Sequence, residues 1–66
     1  MTREEILHRK LVALREEHRD LDVAIQSVEA APNPDTLTIR RLKKKKLALR
    51  DEIARIEDDL TPDIIA

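Results

Sequence analysis

An imidazole, an ammonium and a carboxylate on neighbouring helical turns can hold or move a proton. The sequence carries one such set: His18, Asp22 one turn beyond it, and Lys46. Asp22 stands close enough to the Lys46 layer to take the lysine charge. A pH-sensitive or catalytic His-Lys-Asp group is one reading. No glycine loop or second polar cluster accompanies it, so catalysis is not favoured. The other reading, which we favour, is that His18 and Lys46 are polar residues in a helical seam, where they cost stability and fix register or partner number. We expect no enzyme, no catalytic residues and no cofactor. His8 and His18 lie ten residues apart, a poor fit to one helical face, and neither belongs to a His-Glu-x-x-His spacing, so no metal site is expected.

The other chemical feature is a basic run, Arg40, Arg41, Lys43, Lys44, Lys45 and Lys46, with Arg50 beyond it. Phosphate binding needs such charge on one face. Helical spacing spreads these side chains around the circumference instead. Asp51, Glu52, Glu57, Asp58 and Asp59 follow at once, and no aromatic residue offers a base a stacking surface. A solvated helix with ion-paired edges is therefore preferred. Contact between the basic middle and a neighbour's acidic end is a further option. If nucleic acid binds, Arg40, Arg41, Lys43, Lys44 and Lys45 are the contacts.

Composition narrows the architecture. The 66 residues include no Gly, Cys, Phe, Trp or Tyr, and 41% are charged. Disulfides and thiolate metal sites are excluded, aromatic core fillers are missing, and the glycines of tight hairpin turns are lacking. Long helices remain. A formal net charge of −1 gives no global field toward nucleic acid or membrane. No apolar run approaches a transmembrane length, the amino terminus lacks the apolar stretch of a signal peptide, and neither helix has the Trp, Phe or one-sign polar face of a membrane-surface helix. We expect a cytoplasmic protein with no membrane contact.

The elements that position these residues follow from periodicity. Leu7, Leu11, Leu14, His18, Leu21, Ile25 and Val28 alternate steps of four and three. Ile39, Leu42, Lys46, Leu49, Ile53, Ile56 and Leu60 do the same. This is the spacing of a coiled-coil seam, not of a strand. Thr2 and Glu5 form a capping box. The prolines at 32 and 34 break the pattern. We expect one all-α domain: a helix over 2–30, a turn at 31–33, a helix over 34–60 and a tail at 61–66. Asn33 is the expected N-cap of the second helix, with Pro34 in its first turn.

So short a turn folds the helices back antiparallel. Laid together, the seams pair Val28 with Ile39, Ile25 with Leu42, Leu21 with Lys46, His18 with Leu49, Leu14 with Ile53, Leu11 with Ile56 and Leu7 with Leu60. Only the two central layers contain a polar residue. One edge then pairs Lys43 with Glu29, Arg50 with Asp22, and Glu57 with Arg15. The other brings Asp59 near Lys10 and Glu52 near Glu17. Two helices alone bury little. Val12, Leu47 and Ala54 lie on one flank, Ile6, Ala13 and Ala48 on the other, and Ile64 and Ile65 add to the tail. We expect hairpins to self-associate into a helical bundle through one of these flanks.

Glu-Glu-His-Arg-Asp-Leu-Asp at 16–22, and Arg-Leu-Lys-Lys-Lys-Lys-Leu-Ala-Leu-Arg-Asp-Glu-Ile at 41–53, resemble the YdcH-like family of small bacterial proteins. The resemblance covers roughly residues 5–57. It implies a helical hairpin in a bacterial cytoplasm, of unknown function, with no established ligand or activity. The family's marked residues would fall on His18, Leu21, Lys45, Lys46, Leu47, Asp51, Glu52 and Ile53. Seam and edges account for these except Leu47 and Asp51. The face around Val12, Leu47, Asp51 and Ala54 is thus the preferred partner surface. The leading reading is an uncharacterised structural or interaction module that self-associates or docks to a protein partner. The alternative is a nucleic-acid-associated accessory protein using 40–50.

Overall fold

The computed structural model describes residues 1–61 and consists there of two helices, α1 (Arg3–Glu29) and α2 (Thr36–Leu60), folded back on each other. The molecule is an antiparallel hairpin of 47 × 28 × 15 Å, its long axis set by helices rising about 1.5 Å per residue. Ile64 and Ile65 lie outside the described residues.

α1 starts where the capping box places it. The Glu5 N–H donates to Thr2 Oγ1 at 3.2 Å, and the Thr2 N–H donates back to Glu5 Oε1 at 3.5 Å. It ends at Ala30, whose N–H donates to the Gln26 carbonyl at 3.0 Å. Ala31 then donates to the Val28 carbonyl at 3.2 Å, so two carbonyls of the last turn are satisfied without a glycine.

α2 begins two residues later than the sequence suggests, and its N-cap is Asp35 rather than Asn33. Asp35 Oδ1 accepts from the Leu37 and Thr38 N–H groups at 3.1 and 3.3 Å, and Oδ2 accepts from the Thr38 hydroxyl at 2.8 Å. An ionised carboxylate making three such bonds at the positive helix end outcompetes a neutral amide. Pro34 therefore precedes the cap. These bonds hold the Asp35 carboxyl below its ordinary range, Thr38 being the main cause through its hydroxyl and then its N–H.

The two seams face each other. Leu11, Leu14, Ile25, Leu49 and Ile56 are buried. The other nine seam positions, including His18 and Lys46, are half-buried. The main core cluster joins Leu11, Leu14, Leu49 and Ile56, with Leu7, Leu21, Ile53 and Leu60 packed against it. Leucine and isoleucine side chains of this coverage contribute about 1–3 kcal/mol each. That contribution is concentrated in the half of the hairpin away from the turn.

Ion pairs line both edges. Lys43–Glu29 at 3.5 Å and Arg15–Glu57 at 2.6 Å lie where the register puts them. Arg50 does not pair with Asp22, because Lys46 occupies that carboxylate. On the opposite edge Lys10 meets Glu52 at 3.4 Å rather than Asp59, and Glu52 faces that lysine instead of Glu17. Arg3 takes Asp59 at 3.8 Å. The edge expected to mix like and unlike charges is thus complementary too. With their side chains about half exposed, these edge pairs are worth about 0–1 kcal/mol each and act mainly on register.

Candidate functional site

The centre of the hairpin holds its one polar interruption. His18 comes from α1 and Lys46 from α2, each at a seam position and each half-buried. Lys46 Nζ donates to Asp22 Oδ1 at 2.6 Å. The side chains remain 32% and 44% exposed, so the charges keep contact with water and escape the full cost of burial. Lys46 holds the Asp22 carboxyl below its ordinary range, first through the hydrogen bond and then through its charge. Partial loss of solvent opposes this shift, and the neighbouring His18 adds to it. The three residues singled out from the sequence are therefore close together. Their geometry is a lysine–aspartate pair with a histidine beside it.

Next to this group lies a shallow groove of about 190 Å³ lined by His18, Lys43, Lys46, Leu47 and Arg50. Leu47 is its exposed apolar wall, 56% accessible. One heptad on, Ala54 continues the same stripe of α2, with Asp51 on the adjoining row, and both are exposed. Val12, 55% accessible, is the exposed apolar residue of α1 on that flank. The expected partner surface is thus solvent-facing, although Val12 stands on the other helix from the Leu47 stripe. Ile6, Ala13 and Ala48 on the second flank are also exposed.

Arg40, Arg41, Lys43, Lys44 and Lys45 are exposed. Of these, Lys43 is paired with Glu29, while Lys45 borders a second open groove with Glu17, Asp20, Leu21 and Ala24. The run is therefore divided between two sides of the hairpin. Val23 and Leu37, 57% and 56% accessible, are exposed apolar residues not singled out from the sequence. They sit on the helix backs farthest from the seam, which a heptad reading shows once the back is inspected as closely as the front.

Among the described residues no group of His, Cys, Asp or Glu is arranged to hold a metal ion, and no helix is long and apolar enough to cross a membrane. Residues 11–57 match the family model described as "Protein of unknown function (DUF465)". The chain belongs to that family. The DUF465 match opens at Leu11 and closes just past Ile56, so it spans the turn and every seam layer out to the one those two residues form. It includes the polar centre and the Leu47 stripe. No curated protein and no solved structure matches the chain.

Proposed function

We propose that this DUF465 chain is a non-enzymatic interaction module of the YdcH-like kind, working in a bacterial cytoplasm. It acts by self-association, or by docking to a protein partner, through the outer face of α2 around Leu47, Asp51 and Ala54, with Val12 bordering the same flank. The supporting observation is the exposure of Leu47, 56%, in a chain that buries so little elsewhere. An aliphatic side chain standing beside a groove on a small, thinly packed hairpin is surface that association would remove from water. In this reading His18, Lys46 and Asp22 fix the alignment of the helices.

Sedimentation at micromolar concentration tests the self-association arm. Association is expected for the native chain and should weaken in Leu47→Glu, with the helical signal retained. A folded native monomer would overturn it. The basic run favours a second reading, because Arg40, Arg41, Lys44 and Lys45 take part in none of the five ion pairs among the described residues. Generic duplex DNA or RNA producing no salt-dependent shift at about 50 mM salt removes that reading.

A further inference from the structure

The charges of α2 are segregated along its length, and the fold leaves part of that segregation unused. Lys43 and Glu57 are engaged with Glu29 and Arg15 within the hairpin. Lys44, Asp51 and Asp58, on the row on the far side of the Leu47–Ala54 stripe, are exposed and make none of the ion pairs among the described residues. Arg50 borders the stripe on the near side and has lost its expected acid, because Asp22 is held by Lys46. The stripe thus has a base at its start, an acid at its end, and an adjacent base and acid at its middle.

Resting on the self-association reading above, we propose that the partner is a second copy of this chain. The two α2 helices run antiparallel about a two-fold axis between residues 50 and 51. Leu47 of each copy then covers Ala54 of the other. Lys44 faces Asp58 of the second copy along the far side of the stripe. A two-fold contact repeats each of these pairs, so one favourable pairing is used twice. A parallel arrangement would set Lys44 against Lys44 and Asp58 against Asp58. The back of α1 has no comparable division, because Arg9, Glu16 and Arg19 alternate in sign along it. The acidic half of α2 also disfavours a polyanion as the occupant, since a phosphate backbone following the stripe would meet Asp51 and Asp58.

Two variants at exposed, intramolecularly unpaired positions test the arrangement without touching the hairpin's own ion pairs. Lys44→Glu places two like-charge contacts in the homodimer, and so does Asp58→Lys. Each should weaken association by about ten- to thirtyfold at low salt while circular dichroism shows unchanged helicity. An equimolar mixture restores both opposite-charge contacts, and sedimentation should show it associating as the native chain does. A native monomer overturns this proposal together with the self-association reading. A native oligomer whose variants associate normally, or whose mixture fails to recover, overturns the antiparallel α2 arrangement alone. Because the chain has no cysteine, a second measurement is clean. Leu47→Cys mixed with Ala54→Cys should form a mixed disulfide faster than either variant forms its own, and equal rates overturn the proposed alignment.

Discussion

Replacing Lys46 by leucine tests whether the polar centre serves alignment at the expense of stability. The Lys46 side chain is 32% exposed and lies in the layer opposite Leu21. Full burial of a leucine is worth about 1.5–3 kcal/mol, so coverage to this degree gives about 1–2 kcal/mol. The lysine stem already covers part of that surface, which leaves a net gain of about 0.5–1.5 kcal/mol. The lost contact with Asp22 is partly solvated and offsets little of this. For a domain of this size the midpoint should rise by about 3–10 °C. Thermal melts of Lys46→Leu and the native chain, followed by helical circular dichroism at one chain concentration, measure this, since association itself moves the midpoint. Sedimentation of the same samples should show a broader range of species in the variant. A lowered midpoint would refute the reasoning. It would mean that the Lys46–Asp22 contact stabilises the hairpin more than a leucine does, and that the centre is a stabilising pair and not an alignment device.

Asp35→Ala should lower the melting temperature by several degrees, whereas Asn33→Ala should leave it unchanged, because only Asp35 accepts the first-turn N–H groups of α2. Stability should also depend on acid pH. Asp22 and Asp35 both have folded values below their ordinary value, so their contributions are fully present above that value and are lost as pH falls through the lower folded values. Urea midpoints should therefore be level above about pH 5 and fall below about pH 4. Lys46→Leu should remove most of the Asp22 share of that decline, leaving the smaller part due to His18, and should leave the Asp35 share.

The seam was legible in the sequence because burial in a hairpin is a matter of spacing. Each of its residues, from Leu7 to Leu60, is buried or half-buried. What spacing does not decide is competition. Spacing puts Asp22 on the same edge as Arg50, yet it is Lys46 that pairs with it. Lys10 has both Asp59 and Glu52 to choose from, and with Arg3 on Asp59 it settles on Glu52. The cap of α2 posed the same kind of choice, between Asn33 followed by proline and Asp35 followed by a threonine that donates from both its N–H and its hydroxyl. In each case two side chains of suitable type stand near one partner, and the selection rests on three-dimensional reach. At the candidate site, position and exposure were readable from the heptad, while the groove between Leu47 and the polar centre belongs to the folded pair alone.

The turn also bears on the order in which the chain assembles. Contacts across the hairpin close steadily larger loops with distance from the prolines: 24 residues separate Lys46 from Asp22, and 42 separate Arg15 from Glu57. Closure entropy grows only logarithmically, by about 0.6 kcal/mol per doubling. Once Asp35 has seeded α2, the helices can therefore zip outward at modest further cost. The polar centre then meets its partner before the Leu11–Ile56 layer can form. A chain that has slipped would encounter the Lys46 mismatch early, while few contacts need to be undone. If Lys46 and Asp22 fix alignment as proposed, their place between the turn and the strongest part of the core would test a slipped hairpin before it gained most of its burial.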